Sequence, residues 1–192
     1  MTFKKPIGSI SVSGHKLLGC PTPCGVVMNR LKDVNLVMST NIEYIGSTDS
    51  TISGSRNGHA PIFIWYALKS LGYKGIQRRV ETCLRNARYL TFLLKKKGVS
   101  SLLNPVSSTV LFERPKDDAF VRKWQLACEG NLAHVVVMPN VSIRKLFRFV
   151  EDLAESRNAL LEGKNISIPC VAADTGEDNC LCSLHCITRP RL

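Results

Sequence analysis

Ile76, Val80, Leu84, Ala87, Leu90 and Leu94 recur at steps of three and four. That spacing lines all six along one side of a helix, and an apolar stripe of this length must be buried against something. Arg78, Arg79, Arg85 and Arg88 fall largely on the other sides, where solvent accounts for them. The triplet Lys95-Lys96-Lys97 closes the helix just before Gly98, where cations favour the carbonyl end of the helix dipole. A second helix, nearly all apolar, precedes it over Ala60–Leu71, and Gly72-Tyr73-Lys74-Gly75 separates the two.

After Gly98 the pattern alternates between strand and helix. Ser107–Glu113 reads as a strand, and Asp117–Cys128 as a helix with Asp117 or Asp118 in the capping position. His134–Met138 reads as a short buried strand, which makes His134 a core histidine. Ser142 caps a last helix running to about Leu161. This order predicts a small two-layer α+β domain. From Gly163 the chain is irregular and rich in cysteine, and no internal repeat is visible.

The front of the chain is different in kind. In Ser9-Ile10-Ser11-Val12-Ser13 apolar and hydroxyl residues alternate as in a strand, and Cys24–Met28 reads as a second strand. Gly19-Cys20-Pro21-Thr22-Pro23 between them is breaker-rich and forms a loop. A short helix fits Leu31–Met38, and residues 47–59 form a polar stretch.

Composition narrows the function classes. With 44% hydrophobic and 21% charged residues the chain is globular rather than disordered. Its net charge of +11 is spread along helical segments, and no nucleic-acid reader motif accompanies it, so no nucleic-acid partner is expected. The longest apolar run, Ala60–Leu68, is too short to cross a bilayer, and MTFKKPIGS lacks an apolar leader core. A cytoplasmic setting with no membrane contact is the expectation. The eight cysteines then read as free thiols. Cys180, Cys182, His185 and Cys186 lack the paired spacing of a zinc site, so no metal is expected.

The chemistry lies in Ser13-Gly14-His15-Lys16. A lysine held at the end of a strand offers an amine that desolvation or neighbouring positive charge turns into a nucleophile toward an aldehyde. A preceding histidine can meet an anionic group beside that aldehyde, and Ser11 and Ser13 add hydroxyl donors. Those are the parts needed to hold pyridoxal phosphate as a Schiff base. On these residues alone, an exposed lysine after a strand is the plainer account.

A resemblance reverses that balance. SISVSGHKLLGCPTPCGV resembles the cofactor-lysine region of the group II pyridoxal-phosphate decarboxylases, whose signature carries Ser-x-x-His-Lys or Asn-x-x-His-Lys. The similarity, nearest to the plant serine decarboxylases labelled histidine decarboxylase-like, continues through GSRNGHAPIFIWYAL, CLRNARYL, SSTVLFERPKDDAFVRKWQLACEGNLAHVVVMP and IPCVAADTGEDNC.

It implies an α/β chain, the C-terminal part of a fold-type I pyridoxal-phosphate transferase-like fold. Residues 1–59 would be the remnant of the cofactor-binding large domain and 60–97 the connecting and interface helices. Residues 98–162 would form the small α+β domain, and 163–192 the cysteine-rich tail. Lys16 would carry the cofactor, with His15 and Ser13 near its phosphate. Ser55 would reach the phosphate of a neighbouring subunit.

The implied reaction converts L-serine to ethanolamine, with histidine as the rival substrate. The implied assembly is a homodimer, or a dimer with a full-length homologue through the helix at 76–97. In such enzymes the phosphate cup, the ring-stacking histidine and the ring-nitrogen aspartate precede the lysine. Only fifteen residues precede Lys16, none of them acidic. The expectation is therefore a truncated chain that keeps the lysine and does not decarboxylate alone.

Overall fold

The computed structural model describes residues 4–30, 40–43, 46–49, 56–161, 170, 171 and 175. They fall into two compact units, Met1–Gln77 and Arg78–Leu192.

In the first unit, β1 (Ser9–Ser13) pairs antiparallel with β2 (Gly25–Asn29), Ser9 opposite Asn29 and Ser13 opposite Gly25. A second hairpin joins β3 (Thr40–Ile42) to β4 (Ser47–Asp49), so part of the polar stretch is strand. The short helix expected at Leu31–Met38 lies outside the described residues.

The helix α1 (Ala60–Lys96) begins in this unit and continues into the next. Its start is held by Asn57, whose Oδ1 accepts the His59 N–H at 2.9 Å and whose carbonyl accepts the Ala60 N–H at 3.2 Å. The interruption foreseen at residues 72–75 narrows to Gly72. Its φ of 57° and ψ of −177° leave the helical region, at a conformation only glycine adopts without strain.

The second unit builds one core. Its four-stranded antiparallel sheet has the order β5 (Ser101–Leu103), β6 (Thr109–Glu113), β8 (Leu132–Val136), β7 (Ala127–Glu129). Against one face pack the later part of α1, α2 (Asp118–Trp124) and α3 (Ile143–Leu161). Leu146, Phe149, Val150 and Leu153 form the apolar side of α3, meeting Leu90 and Leu94 of α1 and Val110 and Phe112 of β6. Phe149 meets Phe112 and Trp124 edge-on, at centroid distances of 5.7 and 5.1 Å.

Two expectations need correction. The helix foreseen over Asp117–Cys128 ends at Trp124, because Gln125 turns left-handed at φ 50°. Cys128 then lies on β7, paired with Ala133 across a hairpin that closes at Gly130. Ladder bonds to β8 outweigh the helical period there. His134 is exposed, not buried. It stands opposite Leu111 and Ala127 on the alternate side of the strand from the buried Ala133.

Asp117 caps α2 and ties it to α3. Its carboxylate accepts the Ala119 N–H at 2.8 Å and the Ser156 hydroxyl at 3.0 Å. Burial alone would raise the acid's pKa, but the Ser156 and backbone donors outweigh it and hold the carboxyl below its ordinary value. Asp117→Ala is expected to cost about 1.5 kcal/mol in urea unfolding at neutral pH. The wild-type advantage should fade as pH falls through the lowered pKa, since the protonated acid caps poorly.

Candidate functional site

The loop after β1 turns twice in quick succession. The Lys16 N–H donates to the Ser13 carbonyl at 3.2 Å, and the Gly19 N–H donates to the Lys16 carbonyl at 3.2 Å. Lys16 thus sits at the joint of two turns, anchored through both of its backbone polar groups, with its side chain exposed. Ser13 is half-buried at the end of β1, and His15 is exposed between them. The structure brings Ser13, His15 and Lys16 onto one turn. Ser55 lies outside the described residues.

Gly14 explains how the turn is seated. It is buried, its N–H donates to the Cys24 carbonyl at 3.0 Å, and its own carbonyl accepts the Cys20 N–H at 3.2 Å. A Cβ built here would lie 2.7 Å from the Cys24 sulfur and 3.5 Å from that of Cys20. Gly14→Ala is expected to lower stability by roughly 1–3 kcal/mol through overpacking. Adding Cys24→Ala should recover much of that loss in a double-mutant cycle read by thermal unfolding.

His15 is oriented by the same loop. Its Nδ1 lies 3.1 Å from both the backbone nitrogen and the carbonyl oxygen of Cys24. That carbonyl already accepts from Gly14, whereas the Cys24 N–H has the imidazole to donate to. Nδ1 is therefore the acceptor, and the proton of neutral His15 resides on Nε2. The ring presents an N–H donor away from the loop.

These contacts of Cys20 and Cys24 went unread in the sequence, where both passed as ordinary loop thiols. Their spacing around a proline-bounded loop was the available signal. Burial raises the Cys20 pKa first, helped by its hydrogen bond to Cys24. Arg56 and His59 precede α1, and His59 stacks on Phe63 at 6.4 Å. Among the described residues no cluster of three or more metal-ligating side chains occurs, and no helix is long and apolar enough to cross a membrane.

Residues 5–113 match the pyridoxal-dependent decarboxylase conserved domain, which is more than half of the chain. This chain belongs to the pyridoxal-dependent decarboxylase family. The chain is 62% identical over 185 residues to serine decarboxylase 3 of Oryza sativa subsp. japonica, covering 96% of itself and 40% of that relative. It is 48% identical over 183 residues to the histidine decarboxylase of Solanum lycopersicum, covering 95% of itself and 44% of the relative.

Among solved structures, L-methionine decarboxylase from Streptomyces superposes with a TM-score of 0.62 at 33% identity, over 78% of this chain and 32% of the other. The mixed α/β architecture is thus that of a part of the pyridoxal-phosphate decarboxylase fold, and pyridoxal phosphate is the family's cofactor. The chain spans about two fifths of the length of the curated relatives it matches.

Proposed function

We propose that this chain carries the cofactor-lysine part of an L-serine carboxy-lyase, forming ethanolamine and carbon dioxide. The observation that carries the substrate is the 62% identity with the rice serine decarboxylase along nearly the whole chain. The lower identity with the tomato histidine decarboxylase favours histidine as the second substrate to test.

The donor set fits the cofactor. Lys16 offers a primary amine on a turn open to solvent, and its Nζ would bond the aldehyde carbon. His15 presents Nε2–H to an anion, and Ser13 offers a hydroxyl from the end of β1. We assign both to the phosphate, with Ser55 serving the phosphate of a neighbouring subunit. When bound, pyridoxal phosphate supplies the electron sink for the pair leaving the Cα–carboxylate bond. Lys16 would hold the aldehyde carbon through Nζ and, as a free amine, would be the group that receives and returns a proton beside it.

Dimerisation belongs to the same proposal, with a second copy or a full-length homologue as partner. The helix stretch 76–97, expected to form that interface, spends Ala87, Leu90 and Leu94 on its own core. Ile62, Trp65 and Tyr66 are instead exposed along one stripe of the preceding stretch, Trp65 by 60%, and Tyr73, past the break at Gly72, is exposed by 83%. That stripe is the surface we assign to the dimer. A cytoplasmic setting agrees with the free thiols of the described cysteines.

The substrate test offers L-serine and L-histidine separately to protein loaded with pyridoxal phosphate. L-serine should displace the cofactor from Lys16, with ethanolamine staying at background by mass spectrometry in the chain alone. Displacement by histidine alone would overturn the serine assignment.

A further inference from the structure

Cys20 and Cys24 meet beneath Gly14. Their sulfurs flank the position of a Gly14 Cβ, at 3.5 and 2.7 Å, so both thiols pack beside the same glycine. Both residues also grip the turn through their backbones. Cys20 N–H donates to the Gly14 carbonyl, Cys24 accepts from the Gly14 N–H, and Cys24 N–H donates to His15 Nδ1. Cys20 is only 6% exposed, whereas Cys24 is half-buried and open to a small reagent.

We propose that Cys20 and Cys24 are a reversible dithiol–disulfide pair under the Gly14–Lys16 turn, whose closure shifts the seats of His15 and Lys16. The oxidant is a small disulfide of the glutathione type. The Cys24 thiolate attacks one sulfur of that disulfide, forming a mixed disulfide and expelling the first small thiolate, which takes up a proton. Cys20 then loses its proton to solvent, attacks the Cys24 sulfur and expels the second. Two protein thiols are oxidised and one small disulfide is reduced to two thiols.

Bond formation brings the sulfurs to about 2.05 Å, shorter than any non-bonded contact, so two free thiols must move together to close it. Pro21 and Pro23 stiffen the loop between the cysteines. The movement is therefore taken up on the other side, at Gly14 and the His15 bond. Its consequence for cofactor capture rests on the assignment of Lys16 above.

The test equilibrates the purified chain in glutathione buffers from reducing to oxidising, alkylates the remaining free thiols and maps the peptides. Cys20 and Cys24 should lose alkylation together, in one peptide lighter by two hydrogens, while Cys83 and Cys128 remain modified. In Cys20→Ser and Cys24→Ser this paired transition should vanish. The His15 ring nitrogens should shift by NMR on oxidation of the wild type and stay fixed in either variant.

Borohydride-trapped pyridoxal phosphate on Lys16 should change roughly tenfold between the two states, since misplacing a reacting group by about 1 Å can cost 100-fold. Oxidation of Cys83 or Cys128 before this pair, or an unmoved His15 signal after closure, overturns the proposal. Absence of any trapped adduct in the reduced protein would instead sink the Lys16 assignment, leaving the mapping and the His15 signal to decide the pair.

Discussion

Lys16→Ala is expected to remove the borohydride-trapped phosphopyridoxyl group from the residue 16 peptide completely. Wild-type protein mixed with pyridoxal phosphate should carry it there in preference to every other lysine. The chain holds twelve other lysines as competing amines, so preference is the informative quantity. Lys16 differs from the others in being anchored at a double turn with an N–H donor on the adjacent His15. On the assignment proposed above, a phosphate held by that donor would raise the effective concentration of the aldehyde at Nζ.

Lys16→Arg separates charge from nucleophilicity. The guanidinium keeps the positive charge but stays protonated, so this variant should lose the adduct as fully as alanine does. Labelling spread evenly over the lysines, with the same total in Lys16→Ala, would overturn the assignment. Peptide mapping after reduction reads all three results.

Unfolding free energy is expected to fall by about 3 kcal/mol between pH 5 and pH 8, owing to Glu113 alone. Its side chain, only 7% exposed, sits at the end of β6, where Oε2 accepts the Ser100 N–H at 3.2 Å and Oε1 faces Arg157 at 3.3 Å. Burial pushes its pKa from 4.5 up to about 7. Arg157 and the Ser100 N–H pull the other way without prevailing, and Cys170 adds to the rise.

The sign follows from proton counting. Between the unfolded and folded pKa values the native state holds a proton that the unfolded chain has released. The group's contribution is therefore complete below about pH 4.5 and is lost as pH rises through about 7. Glu113→Gln cannot ionise and should flatten this part of the profile in urea titrations. An equally steep profile in the variant would show that the slope arises elsewhere. Arg157 also donates to the Lys97 and Gly98 carbonyls, at 3.2 and 2.8 Å, so the same cluster closes the end of α1.

The sequence by itself determined whatever depends on local spacing. The stripe from Ile76 to Leu94 specified a helix with one buried side, and Ala87, Leu90 and Leu94 are buried as that spacing requires. Ser13, His15 and Lys16 were legible as a set because they are neighbours in the chain. The family was legible because its motifs run in series along most of the residues.

Tertiary structure alone decided what depends on partners remote in sequence. The helical period through Cys128 yielded to a ladder with β8, a competition that no local pattern records. His134 lost its expected place in the core because strand register, rather than the apolar residues beside it, selects the face. Glu113 gains its raised pKa from burial, against the pull of a guanidinium on α3 and a peptide N–H before β5. Gly14 is required by the Cys24 sulfur, which folds back from the far side of a loop. Spacing sets which way a side chain points along its own element. What it meets there is set by packing, where burial, charge and hydrogen bonding are settled together.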